Sequence, residues 1–277
     1  MAQLLRLTNQ TGTVLLMLPT LWALVLASAG KPSLRLVIIF ALGSFLMRSA
    51  GVVVNDLADR TFDRQVTRTR TRPLATGALT PREAVLVAAV LLLLAAALLL
   101  FLNPLAAQLS LVALFLAVLY PFSKRVIHIP QAVLGLAFGW GAVMAWAAVR
   151  NSLDPPIWWL YGAVICWAIA YDTIYALQDR EDDARLGLKS AALFFGAWTW
   201  LAVGVAFALM LLCVGLAGWL VGLAPGFYVI LATVGGYLSQ QVRLIRRPID
   251  PAQAFRLFRH HVGVGAAILA GIWLGFL

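Results

Sequence analysis

The chain has 277 residues, 62% of them apolar and 12% charged, with a mean hydropathy of +0.92. A soluble domain carries about 25% charged residues, so a water-soluble globular protein is excluded and lipid is the main solvent. The formal charge of +10 does not make the chain a nucleic-acid binder, because its basic residues sit in short gaps between apolar runs and no soluble basic domain holds a groove.

In chain order the apolar runs are 13–29, 34–54, 83–102, 105–121, 131–149, 157–177, 191–214, 219–241 and 261–277. Runs this long in lipid pair their backbone amides internally and are helices. They predict an all-α polytopic membrane protein, about nine transmembrane helices surrounding a central cavity, forming a single domain over 1–277. The first run lacks a small-residue cleavage site and reads as a retained span. Cys166 and Cys213 lie inside runs and imply packing rather than a disulfide framework. Of the 21 Lys and Arg, Lys31, Arg35 and Arg150 fall on one side, Arg48 lies within the second run, and the remaining 17 fall on the other. By the positive-inside rule the N-terminus and the even-numbered loops are cytoplasmic. That placement fits the inner or plasma membrane of a bacterium.

The second run leads into Asn55, Asp56, Asp59 and Asp63, and the sixth into Asp172, Tyr175, Asp179, Glu181, Asp182 and Asp183. Ionised groups at membrane depth are costly and usually functional. Asp56, Asp59 and Asp63 stand at i, i+3 and i+7, one face of a helix, and Asp172, Tyr175 and Asp179 repeat the frame. Parallel carboxylates repel unless a cation sits between them. Oxygen donors without His or Cys nearby indicate a hard ion, Mg²⁺ rather than Zn²⁺. Two such faces opposed across a cavity would grip a diphosphate through bridging ions. Solvated helix ends are the bland alternative, and two clusters in one frame argue against it. A basic, Gly-containing segment follows each cluster: Arg68 to Gly77, then Arg180 to Ser190. The order suggests a pseudo-repeat of four-helix units, 1–130 and 131–241, with the final helix 261–277 added. A cation-coupled transporter would explain many spans and buried acids, but not the phosphate-suited Arg and Lys after each cluster.

These residues carry a family resemblance. Asn55-Asp56-Leu57-Ala58-Asp59-Arg60-Thr61-Phe62-Asp63 resembles the first aspartate motif of the UbiA-type membrane prenyltransferases, and Tyr171 to Asp183 resembles the second. Arg72-Pro73-Leu74-Ala75-Thr76-Gly77, Tyr120-Pro121-Phe122-Ser123-Lys124-Arg125 and the stretch from Gly187 to Gly196 resemble further elements, in the same order. The second motif is most similar to the 4-hydroxybenzoate branch; homogentisate and dihydroxynaphthoate remain alternative acceptors. Where a Lys-Pro pair before Gly is expected, this chain reads Thr8-Asn9-Gln10-Thr11-Gly12.

The resemblance implies Mg²⁺-dependent transfer of a polyprenyl group from polyprenyl diphosphate to 4-hydroxybenzoate, for quinone biosynthesis. It implies that Asp56, Asp59, Asp63, Asp172 and Asp179 serve metal binding and catalysis, with Asp183 beside the second ion or a partner group. It further implies that Asn55 ligates or orients a water, and that Arg68, Arg72, Lys124 and Lys189 neutralise diphosphate oxygens. Arg48, seven residues before Asn55, is a candidate for the acceptor carboxylate or a counter-charge to the acids. Tyr120 and Tyr175 are candidates to face the site. His128, His260 and His261 read as surface or interface residues.

Overall fold

The structure, a computed structural model, describes residues 1–187 and 189–277, with the side chains of Lys124 and Arg125 left out. The chain runs in order through α1 (Thr11–Ala27), α2 (Leu34–Ala58), α3 (Arg60–Asp63), α4 (Pro73–Thr76), α5 (Pro81–Leu98) and α6 (Pro104–Val126). It continues through α7 (Pro130–Arg150), α8 (Pro155–Ala176), α9 (Arg180–Leu186), α10 (Ala191–Phe195), α11 (Thr199–Leu220), α12 (Pro225–Leu244) and α13 (Pro251–Leu274). Among the described residues nine of these have 17 residues or more, as the apolar runs predict, and none is a strand. Among the described residues, seven helical stretches are long and apolar enough to cross a membrane by length and composition.

Proline sets many of the starts. Pro73, Pro81, Pro104, Pro130, Pro155, Pro225 and Pro251 each open a helix, where the missing N–H costs nothing and φ is already helical. Thr80 and Glu83 form a capping box on α5. Asn103 and Asp250 accept from Ala106 N at 2.9 Å and Gln253 N at 2.7 Å, capping α6 and α13.

Three boundaries differ from the runs. The chain turns between α11 and α12 at Val221 to Ala224, six residues beyond the expected break. That turn is apolar and depends on Gly222 at φ +76°, so hydropathy does not mark it. The seventh run begins as the short α10 and kinks at Gly196 before α11 starts. The last helix begins ten residues before 261, at Pro251, because its polar first turns carry Arg256 and Arg259.

The helices pack as two rings sharing the wall α1–α7. In one ring α1, α7, α8, α11, α12 and α13 each touch the next, and α13 closes on α1. Its interior is filled, with Trp22, Trp167, Phe207 and Phe227 in one continuous apolar core. Close approach depends on small residues: a Cβ on Gly135 of α7 would lie 2.8 Å from the Ile165 backbone of α8. The other ring comprises α1, α2, α5, α6 and α7. Here α5 and α6 meet chiefly through the 3-10 turn Leu99–Phe101, which leaves a gap between them and a cavity inside.

Candidate active site

The first acidic motif sits where α2 breaks. Asp59 caps the helix, yet Asp59 N donates to Asn55 O at 2.9 Å and Asp63 N to Asp59 O at 2.8 Å. The helical bonding therefore continues across the break and keeps Asp56 and Asp63 on one side. Both are buried, and both accept from one atom, Arg72 Nη1, at 2.9 and 2.8 Å. Arg72 is delivered by the turn that follows. It is extended at φ −64°, ψ 145°, Pro73 starts α4 directly behind it, and Gly77 ends α4 in the left-handed region. The loop is pinned by Arg64 Nε donating to Ala75 O at 2.9 Å and Thr69 Oγ1 donating to Asp63 O at 3.1 Å.

The second motif also sits at a break. After α8 comes a 3-10 turn, Leu177–Asp179, and then α9. The α-helical frame is interrupted there, yet Tyr175 and Asp179 still meet one partner. Arg68 crosses to them from the first motif's loop. Its Nε donates to Asp179 Oδ1 at 2.9 Å, its Nη1 donates to the Tyr175 hydroxyl at 2.9 Å, and its guanidinium lies 5.2 Å from the Tyr175 ring centre. Thr67 N donates to Asp182 at 3.1 Å, and Arg185 bridges Asp182 to Gln65 O. Lys189 Nζ donates to Val126 O at 2.8 Å, tying the second loop to the end of α6. The two motifs are thus joined through residues 65–68. Asp59, Asp172 and Asp183 are half-buried. The Lys124 side chain lies outside the described residues.

No three acidic, His or Cys side chains among the described residues converge closely enough to hold a metal ion alone. Arginines stand between the carboxylates as counter-cations. The donor set nevertheless fits Mg²⁺. Asp56 and Asp63 already converge on one cationic nitrogen, and the Asn55 Oδ1 beside them is buried without a hydrogen-bond partner. Mg²⁺ is commonly held by one or two carboxylates and completed by substrate phosphates and water.

Beside these motifs lies a cavity of about 470 Å³ between α1, α2, α5, α6 and α7, within the usual range for a ligand site. Its wall along α2 runs from Ile39 to Gly51, about 18 Å at 1.5 Å per residue. Arg48 is its one charged wall residue among those described; Tyr120 is also in the wall. Leu92, Leu98, Leu99 and Leu102 line it from α5 and the 3-10 turn, and the exposed Leu93, Leu111 and Leu114 flank the gap between α5 and α6. Arg48 has no hydrogen bond or ion pair to a described residue, and its guanidinium rests against Gly12, where a Cβ would meet Nη2 at 2.6 Å.

Two features escaped the sequence reading. Arg6 Nη2 donates to Asp56 Oδ1 at 2.9 Å, a pairing across 50 positions that no local spacing announces. Burial and the adjacent Arg72 charge lower the proton affinity of Arg6 below its ordinary value, against the opposing pull of Asp56. His261, expected at the surface or interface, is fully buried. It accepts from Trp167 Nε1 at 3.1 Å and stacks on Phe207. The nearby arginines disguise it, because they occupy the exposed face of the same helix. His128 and His260 are exposed as expected.

The fold is a helical membrane-type bundle with an apolar cavity, with Arg48 in its wall and two acid–arginine clusters beside it. The profile described as the UbiA prenyltransferase family matches residues 16–263. The 4-hydroxybenzoate octaprenyltransferase of Nitrosospira multiformis is 50% identical over 99% of this chain and 94% of that protein. The enzyme of the same name from Azoarcus sp. is 47% identical over 99% and 96%. A UbiA homologue from Aeropyrum pernix K1 superposes with a TM-score of 0.80 at 27% identity, over 97% of this chain and 100% of that one. An Archaeoglobus fulgidus homologue bound to GPP and Mg²⁺ shares the fold, with a TM-score of 0.74 at 20% identity over 99% and 98%. This chain belongs to the UbiA prenyltransferase family.

Proposed function

We propose that the protein transfers a polyprenyl group from polyprenyl diphosphate to the ring carbon of 4-hydroxybenzoate ortho to its hydroxyl, releasing diphosphate. The observation that carries the reading is Arg48, the one charged group among the described residues in the wall of an apolar cavity. It stands two helical turns from the first acidic motif on α2. Full-length relatives named for this reaction support the acceptor.

The prenyl tail occupies the apolar cavity, where contacts are non-directional. Asp56, Asp63 and Asn55, with Asp59, would hold Mg²⁺ on one side, and Asp172, Asp179 and Asp183 on the other. When bound, the ion supplies positive charge that stabilises the departing diphosphate. Arg72, Arg68, Lys124 and Lys189 neutralise diphosphate oxygens by charge-assisted hydrogen bonds. The C1–O bond breaks with its electron pair on the diphosphate. The ring carbon ortho to the phenol forms the new C–C bond, and that carbon's proton is lost. A carboxylate of the second motif, Asp179 or Asp172, takes the phenol proton, which raises the ring's electron density, and returns it to the product oxygen, while the ring carbon's proton leaves on the released diphosphate. Arg48 holds the acceptor carboxylate, and Tyr120 and Tyr175 flank the reacting ring. The excess of basic residues around both motifs supports a cytoplasmic active site in a bacterial membrane.

Arg48→Leu tests the reading. It raises KM for 4-hydroxybenzoate far more than KM for the prenyl diphosphate. An effect on the donor alone would move Arg48 to the diphosphate site and overturn the acceptor assignment.

A further inference from the structure

The N-terminal segment is built to hold Arg6 in one place. Residues 1–9 form hydrogen-bonded turns, with Leu5 N on Met1 O and Leu7 N on Ala2 O at 3.1 and 3.0 Å. Leu4 is fully buried in a small cluster with Val53, Leu74, Ala84 and Ala88, which anchors the segment to α2, α4 and α5. Arg6 has φ +51°, a left-handed conformation that non-glycine residues adopt at a cost. Gln10 supports that turn: its Nε2 donates to the Arg6 carbonyl at 2.9 Å, and its Oε1 accepts from Thr13 Oγ1. This polar brace stands where the family's Lys-Pro pair is absent.

Two guanidinium groups converge on Asp56, and one of them is shared with Asp63. Arg6 Nη2 and Arg72 Nη1 both donate to the same oxygen, Asp56 Oδ1, at 2.9 Å each. Two guanidinium groups on one carboxylate oxygen repel each other, so Arg6 is the one of the pair free to exchange Asp56 for another anion, since Arg72 keeps Asp63 as a second partner.

We propose that Arg6, held by the Leu4 anchor and the Gln10 brace, is a donor-binding residue that moves from Asp56 to the leaving diphosphate when the prenyl diphosphate enters. This rests on the prenyl-transfer reading and adds a residue to its diphosphate site. Arg6 serves as a placeholder cation: it neutralises Asp56 in the free enzyme and frees that carboxylate as the diphosphate takes the guanidinium. Gln10 is a positioning residue, acting through the Arg6 backbone.

The experiment uses the full chain in detergent with Mg²⁺. Binding of inorganic diphosphate and of geranyl diphosphate is measured by calorimetry without acceptor, and KM for donor and acceptor is measured separately. Arg6→Gln weakens both binding constants and raises donor KM by about 10- to 100-fold, the worth of a charge-assisted hydrogen bond. Acceptor KM changes less than about twofold, within the scatter of a remote site. Arg6→Lys, which keeps the charge but loses the fork, recovers part of the binding, and Gln10→Leu shows the same donor-selective loss at smaller size. The Lys variant also controls for folding, since it leaves Leu4 and the anchor intact. Unchanged or tighter diphosphate binding in Arg6→Gln would make Arg6 a mere counter-ion of Asp56 and overturn the proposal, as would an equal rise in acceptor KM. Wild-type protein that binds diphosphate through Arg6 but never prenylates 4-hydroxybenzoate would refute the acceptor assignment and leave this inference standing.

Discussion

Gly12→Ala separates stability from acceptor binding. Gly12 lies in the first turn of α1, and a Cβ there would sit 2.6 Å from Arg48 Nη2 and 2.7 Å from Nε. Ordinary contact begins near 3.5 Å, so the guanidinium retreats by ~0.9 Å. That stretches a charge-assisted bond of about 2.9 Å beyond hydrogen-bonding range. Such a bond contributes about 1.5–3 kcal/mol. The smaller value alone raises KM for 4-hydroxybenzoate about tenfold. The helix itself improves, because Ala replaces Gly at a gain of roughly 0.5–1 kcal/mol. The assay is steady-state kinetics with each substrate varied in turn, beside a thermal melt in the same detergent. Acceptor KM unchanged within about twofold in a protein of equal or greater stability would refute the placement of the acceptor at Arg48. A rise in donor KM alone would refute it equally.

Further expectations follow from the clusters. Asp56→Asn and Asp172→Asn each lower turnover by about a hundredfold or more in protein that still purifies as a folded species; near wild-type rates would return these acids to a structural role. Chelation with EDTA abolishes activity and Mg²⁺ restores it, since the donors are oxygen only; turnover in metal-stripped protein would contradict the metal assignment. Single cysteines introduced between residues 64 and 70 react with impermeant thiol reagents from the cytoplasmic face only; labelling from the opposite face would invert the topology.

The architecture was largely legible because lipid leaves the backbone few options. Each of the nine runs corresponds to a helix, and errors occur where hydropathy is silent. The α11–α12 turn is apolar, yet Gly222 and Pro225 mark it for a reader attending to turn residues. The start of α13 was hidden by its own arginines, although Asp250 before Pro251 is a capping signal. At the site, the spacing puts Asp56, Asp59 and Asp63 on one helix face, and in the structure Asp56 and Asp63 both accept from Arg72. The spacing announces neither the 3-10 turn at Leu177–Asp179 nor the pairing of Asp179 with Arg68. Arg6 was not legible at all: its partner is 50 residues away, and only the tertiary fold of the N-terminal segment brings them together. His261 failed for the opposite reason, as a local run of basic residues suggested exposure for a side chain packed between Trp167 and Phe207.

The central claim is aromatic prenyl transfer with acceptor choice set by a carboxylate-binding arginine. One competition measures it most directly. Purified protein in lipid vesicles with Mg²⁺ and a polyprenyl diphosphate receives 4-hydroxybenzoate, homogentisate and dihydroxynaphthoate together, and the prenylated products are separated and weighed by mass spectrometry. The account predicts one dominant product, 4-hydroxybenzoate prenylated on the carbon beside its hydroxyl, and its selective loss in Arg48→Leu. Preferred prenylation of either other acceptor, or a product ratio indifferent to Arg48, would contradict it.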